Sequence, residues 1–301
     1  MDGTTWAMLA ALSVLWGSAF VFAEIILKEV PVLSLVAMRI FLAAVPLWVM
    51  VVVLKQSVPR SAAVWSGFLI LGIFNNAAPF SLIVWGQTGT TAGLAAILVA
   101  TTPLFTALIA GAVLPDERLS IRTLSGIFLG IFGVGVMIGP GAITDADGDL
   151  FHQLAVVAAA LCYAIAAVFA RRFTRFGVPL LTVAAGQMAL ASAILVPAAL
   201  WIDGPVFLHV EGADVWISIL GVAFLSTAVA YLIYFAIIRR AGATNAVLVT
   251  VLVPVVAVLV GAIVLGESIG AAQLAGMAFI FCGLAVIDGR LMHVLKSKGA
   301  R

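Results

Sequence analysis

Ser13, Trp16, Gly17, Phe20 and Glu24 recur at intervals of three and four inside an otherwise apolar run, so on a helix they share one face. A hydroxyl, an indole and a carboxylate aligned in this way suit a polar interior and not a face turned to lipid. Further along, Asn75 and Asn76 interrupt another apolar run at its middle, Thr101, Thr102 and Pro103 a second, and Ser226 with Thr227 a third. Amides and hydroxyls offer donors and acceptors to a small solute. The rings of Trp16, Tyr163 and Tyr234 add apolar area and faces for a cation. The same polar groups also serve as hydrogen bonds between helices, at about 1 kcal/mol or less each. Both readings stand at this level.

The elements that must position these groups follow from composition. Of 301 residues, 64% are hydrophobic and 9% charged, and the mean hydropathy is +1.27. Such a chain is a polytopic membrane protein. Continuous apolar runs of about 20 residues argue for helices, whereas a barrel would show short alternating segments. The leader MDGTT carries an acid and no Lys or Arg, so the first run is expected to be a true span and not a signal peptide. Breaking the chain at Pro, Gly and charged clusters predicts ten spans, near residues 5–26, 33–54, 62–85, 91–114, 119–138, 154–173, 179–200, 215–238, 243–265 and 271–291. Threading them places thirteen Lys and Arg on the side of both termini and Lys28 alone in a loop opposite. By the preference of basic loops for the cytoplasm, both termini are expected there.

The two halves repeat. WGSAFVF at Trp16 to Phe22 is answered about 147 positions later by YAIAAVF at Tyr163 to Phe169, LVATTP by VTVLVP, and AVLPDE by AIVLGE. Five spans per half is an odd number, so the second copy enters from the opposite face. An inverted repeat of this kind builds a midplane site with two alternately exposed mouths. The expected organisation is a first repeat at 1–140, a linker at 141–153, a second repeat at 154–292 and a basic tail at 293–301.

Glu24 and Arg39 are the ionisable pair inside the first hairpin. They lie seven residues before and eight after Pro31, which predicts a shared depth near the outer face. Each alone would cost about 2.5–3.5 kcal/mol at mid-bilayer on insertion scales. They are read either as a structural or gating ion pair, or as direct participants, Arg39 holding a substrate carboxylate and Glu24 carrying a proton. The second half has Gln187 at the place of Arg39. Pro79, Pro103 and Pro254 each remove a helix hydrogen bond, which allows a static kink, a hinge or an exposed carbonyl. GIFLGIFGVG at Gly126 to Gly135, with Gly276 and Gly283, marks close helix packing or a dimer face. Cys162 and Cys282 read as small core residues.

Several function classes are excluded as expectations. No GxxxxGK[ST] is present, and His152, His209 and His293 fall in or beside loops, away from any HExxH. No nucleophile inside the membrane has an activating partner, so the chain is not expected to be an enzyme. No metal, cofactor or nucleic-acid partner is expected either.

The two five-span halves, the WGSAF element, the Arg in span two and the proline-centred fourth span ending in LPDE with its LGE counterpart together resemble the drug/metabolite transporter superfamily. In particular they resemble the EamA-type permeases, among them bacterial exporters of amino acids. The resemblance implies an all-α, ten-helix inverted-repeat fold in the inner membrane. It also implies a central cavity lined by spans one, three, four, six, eight and nine, and export of an amino acid or related small metabolite. Trp16 and Gly17 match the family's first-span element, Arg39 its second-span Arg, and Glu117 and Glu267 its acidic ends of spans four and nine. The substrate-binding residues expected are Trp16, Phe20, Asn75, Asn76, Pro79, Thr101, Thr102, Tyr163, Ser226, Thr227 and Tyr234, with Glu24 and Arg39 as the charged pair. Tyr163 in place of Trp16 and Gln187 in place of Arg39 depart from strict duplication and leave the cargo open. Nucleotide sugars, sugars and cationic drugs are the alternatives, and Arg39 alone speaks against a strongly anionic one. Beyond cargo and lipid bilayer, the chain is expected to act as a monomer or homodimer.

Overall fold

The structure is a computed structural model that describes residues 2–114, 120–138, 149–246 and 248–288, and every regular element among them is helical. Eight helices are long and apolar enough to cross a bilayer. They are α1 (Gly3–Ile26), α2 (Val32–Val53), α3 (Ala62–Gly86), α4 (Ala92–Val113), α5 (Ile121–Ile138), α6 (Asp149–Phe173), α7 (Leu180–Ile202) and α8 (Ala213–Ala241). Two shorter apolar helices, α9 (Val249–Val264) and α10 (Ala271–Asp288), complete the ten. Glu117, residues 139–148 of the linker region and the tail at 293–301 lie outside the described residues.

Packing obeys a twofold scheme. α1 lies on α9 as α6 lies on α4, α8 lies against α1 and α2 as α3 lies against α6 and α7, and α2 pairs with α7 and α5 with α10. Exchanging every helix with the one five places along leaves these pairings unchanged, as two antiparallel copies of one bundle require. With no hydrophobic gain available between helices in lipid, contact depends on close approach. At Gly17, the glycine of WGSAF, an added Cβ would fall 2.8 Å from the side chain of Val256 and 3.0 Å from the amide of Ala257, so α1 reaches α9 only without one. The GIFLGIFGVG stripe is used in the same way within the chain. A Cβ on Gly133 would sit 2.7 Å from the carbonyl of Gly276, and one on Gly126 would sit 2.7 Å from that of Gly283. The face that sequence offered for dimerisation is therefore consumed by the α5–α10 crossing. Both cysteines are free; Cys162 is half-buried, but Cys282 is exposed and not a core residue, since α10 stands at the edge of the bundle.

Three helices depart from α geometry where the sequence is polar or proline-bearing. α3 widens to a π-helix over Ile73–Ala77, around Asn75 and Asn76, and α8 does so over Gly221–Val229, around Ser226 and Thr227. In α3 the cause is Pro79, which cannot donate and whose ring crowds the carbonyl four residues back, so a wider turn relieves it. α8 has no proline there; the hydroxyl of Thr227 donates instead to the carbonyl of Val222, five residues back, at 2.7 Å. α4 breaks between Val99 and Thr102. There the Thr102 hydroxyl donates to the Val99 carbonyl at 2.7 Å, taking the place of the N–H that Pro103 lacks. The Thr101 hydroxyl covers the Leu98 carbonyl at 2.6 Å. α9, by contrast, runs through Pro254 without a break.

The glycine contacts carry a test. Gly133→Ala places a methyl against backbone and should destabilise the protein by about 1–3 kcal/mol, read as a lower melting temperature in detergent. Gly135→Ala, whose Cβ meets nothing within 4 Å, should leave it unchanged or raise it.

Candidate functional site

The side chain of Arg39 enters the bundle from the first third of α2 and meets the π-helical segment of α8. Its Nε donates to Thr227 Oγ1 at 3.1 Å, and its guanidinium carbon lies 3.9 Å from the centre of the Phe80 ring. Thr227 is satisfied on both sides, since its hydroxyl donates to Val222. Arg39 is only 9% exposed. Among the described residues no acceptor meets its two terminal nitrogens and no carboxylate lies within ion-pair distance. Tyr163, edge-on to Phe80 at 6.4 Å, and Tyr231 are the groups in its electrostatic reach.

A second set of contacts joins the halves beside it. Asn75 Nδ2 donates to Gln187 Oε1 and to the Tyr231 hydroxyl, both at 3.3 Å. Gln187 on α7 is the repeat counterpart of Arg39 on α2, so the paired helices α2 and α7 bring equivalent positions to the centre, one charged and one neutral. Trp16 and Tyr234 stack at 5.4 Å with a 45° tilt, within the same apolar cluster as Tyr163. Asn76 is 0% exposed and both its amide atoms lack a partner; the hydroxyl of Ser226, on the π-helical segment of α8, is likewise buried and unpartnered.

The structure thus gathers Arg39, Asn75, Tyr163 and Thr227 into one polar cluster, with Trp16 and Tyr234 beside it. It corrects the pairing of Glu24 with Arg39. Glu24 Oε2 accepts from Gln87 Nε2 at 3.4 Å, in the field of Glu267, while Arg39 turns inward to α8. Counting residues from Pro31 fixed only the depth of each Cα, and a long arginine side chain carries its charge several ångströms from there. Phe20 packs in an apolar cluster and offers its carbonyl to Gln87 at 2.9 Å; Thr101 and Thr102 turn back on their own helix; and Pro79 is buried at the π-helical turn. Sequence reasoning missed Tyr231 and Phe80. The first had a signal, lying four residues beyond Thr227 on the face already marked as polar.

Two cavities lie outside this cluster. One of about 480 Å³, on the side of the N-terminus, is lined by Asp2, Thr5, Arg240, Ala241 and Asn245. The other, about 810 Å³ and almost wholly apolar, is a groove between α2 and α7. Neither reaches Arg39 or Asn76. At the first, Asp2 caps α1 by accepting from the amide and hydroxyl of Thr5, and pairs with Arg240 at 3.2 Å, so the start of α1 is tied to the end of α8. The Thr5 bonds, with a smaller contribution from Arg240, pull the Asp2 carboxyl down to about 2.

Comparison with known proteins gives consistent matches. The EamA-like transporter family matches the chain twice, over residues 3–139 and 150–288. A probable amino-acid metabolite efflux pump of Salmonella typhimurium is 29% identical over 286 residues, covering 91% of each chain. One of the same description from Escherichia coli is 28% identical over 283 residues, again covering 91% of each. The uncharacterised transporter YoaV of Bacillus subtilis is 24% identical over 284 residues, 92% of this chain and 94% of its own. A solved crystal structure superposes with a TM-score of 0.66 at 20% identity, over 95% of this chain and 98% of that one, and shows the fold.

The Asp2 geometry sets a pH dependence. Because the folded carboxyl is depressed below its ordinary value of 3.8, its contribution is complete above that value and is lost as pH falls through about 2. The difference in melting temperature between the protein and Asp2→Asn should therefore stay constant from about pH 5 to about pH 8. A difference that changes across this window would contradict the assignment.

Proposed function

The chain belongs to the EamA-like transporter family, and from that premise we propose that it exports amino acids or related carboxylate-bearing metabolites from the cytoplasm by alternating access. Thirteen basic residues against one support an orientation with both termini in the cytoplasm, in the inner or plasma membrane. The relatives described as amino-acid metabolite efflux pumps, at 28–29% identity, support the cargo class.

The observation that carries this reading is the buried guanidinium of Arg39 with only its Nε bonded to protein. An unpaired buried charge is costly, by several kcal/mol, and a carboxylate that accepts two parallel bonds from the terminal nitrogens relieves that cost with defined geometry. Phe80 already takes one face of the guanidinium, which leaves its edge for the cargo. The faces of Trp16, Tyr163 and Tyr234 offer contact to an ammonium or an apolar side chain. Asn76 and Ser226 sit on the two π-helical segments with unused polar atoms. A change of turn from π to α in α3 and α8 rotates the remainder of each helix and gives these orphans new partners, which suits two helices that must bend between states.

The reading is tested with reconstituted protein in liposomes, offering an aromatic amino acid and its carboxamide, which lacks the carboxylate. Hydrogen bonds to a charged group contribute about 1.5–3 kcal/mol, so the protein should move the acid at least about 10-fold faster than the amide. Arg39→Gln should remove that preference while leaving membrane abundance near the original. Equal rates for acid and amide in the unmodified protein would contradict the role given to Arg39.

A further inference from the structure

On the face opposite the N-terminus, three carboxylates hold the starts of helices that belong to the other half of the molecule. Asp203, at the end of α7, accepts from the amide and hydroxyl of Ser34 in the first turn of α2, at 2.9 and 2.7 Å through one oxygen. Glu29, after α1, accepts from the amides of Glu211 and Gly212 ahead of α8, at 3.1 and 3.2 Å, again through one oxygen. Glu267, after α9, uses both oxygens, one for the amide of Ala92 at 2.7 Å and one for that of Gly93 at 3.0 Å, at the start of α4. The absence of side chains at Gly261 and Gly93 makes room for it, since a Cβ there would stand 2.7 and 3.3 Å from the carboxylate.

The first amides of a helix have no partner within it and carry the positive end of its dipole, so a carboxylate is their strongest natural acceptor. Helix caps of this kind are ordinarily local, as Thr91 is for α4 and Asp2 is for α1. Here each joins residues 1–140 to residues 154–292. We propose that these three contacts form the gate on the release side, with Glu267 as its principal latch. The inference rests on the alternating-access reading of transport. Any rocking that opens this face must separate all three. The latches are placed to allow it: Asp203 and Glu267 are half-buried and Glu29 is exposed, so water replaces each bond as it breaks. Two of the helices they hold are those that meet at the polar cluster. Ser34 precedes Arg39 by five residues on α2, and α8 carries Thr227 and Tyr231.

Counting oxygens ranks the latches. An amide in place of Asp203 or Glu29 keeps one carbonyl oxygen that can accept both bonds, so only charge is lost. Glu267→Gln must present an NH₂ to one of two backbone amides, donor against donor, and loses that contact.

The test uses paired spin labels at Thr88→Cys and Leu208→Cys, exposed loop positions on this face in opposite halves, in full-length protein with Cys162 and Cys282 changed to Ser. The unmodified gate should give one short distance. Glu267→Gln should add a longer component, and Asp203→Asn and Glu29→Gln smaller amounts of the same one. An unchanged distribution in Glu267→Gln overturns the proposal, as does a larger effect from Asp203→Asn or Glu29→Gln. If Glu267→Gln does not fold, Asp203→Asn decides, because a gate contact must yield the longer component there too and its absence overturns the proposal. Distances that shift in a protein that carries no amino acid support the gate and refute the cargo. Transport that falls with unchanged distances overturns the gate and leaves the cargo intact.

Discussion

Inside hydrocarbon, a backbone carbonyl that loses its helical partner has no water to turn to, and the irregular parts of this protein are arranged around that shortage. Each break is closed locally. Thr102 supplies the donor that Pro103 lacks, and Thr227 reaches the carbonyl that a widened turn leaves five residues back. The same constraint gives meaning to the groups that remain unsatisfied. Asn76, with no partner for either amide atom, and Ser226 are unpartnered at mid-span, as are single buried atoms of Gln87, Gln153 and Ser192 elsewhere in the bundle. Asn76 and Ser226 lie on the two π-helical segments, where the backbone itself departs from α geometry.

Duplication explains the frame, and its imperfection explains the site. Equivalent positions converge on the centre because α2 packs on α7 and because α3 and α8 insert in the same way into opposite halves. A strictly repeated sequence would have placed two arginines together there, and like charges in a dry interior repel strongly. One arginine facing one glutamine avoids this and leaves a single positive charge beside neutral donors, acceptors and rings. Asn75 bonds to Gln187 and Tyr231 while Arg39 bonds to Thr227, so both sides of the cluster join the two halves.

Polar contacts between the halves lie at three depths, one of them the N-terminal face, where Asp2 meets Arg240 and the Thr182 hydroxyl donates to the Ser57 carbonyl. At the centre, neutral groups and one cation meet in a dry setting, where each bond is strong and an unmatched group is costly. At the face opposite the N-terminus, carboxylates meet helix starts in contact with water, where bonds exchange readily. A rigid helix connects these last two: α2 carries Ser34 in its first turn and Arg39 just over one turn further in. The arrangement combines a dry, bonded centre with partly water-exposed helix caps at the surface.

Hydropathy and the bias of basic residues determined ten membrane-spanning segments, and the echo of WGSAFVF in YAIAAVF determined the duplication, because burial in lipid constrains composition over whole helices and a repeat is a one-dimensional pattern. The polar residues at mid-span were legible for the same reason, since an amide in hydrocarbon stands out. Which of them meet was decided only by tertiary structure. Arg39 was read with Glu24 because both flank one turn, yet its long side chain reaches Thr227, 188 positions away. Thr101 and Thr102 stood out as polar at mid-span, but only the folded helix shows their hydroxyls donating to the carbonyls of Leu98 and Val99. Glu267 was visible only as the acidic end of a span, because an acceptor shows in sequence while the helix start that it caps, 174 and 175 positions earlier, is brought to it by folding alone.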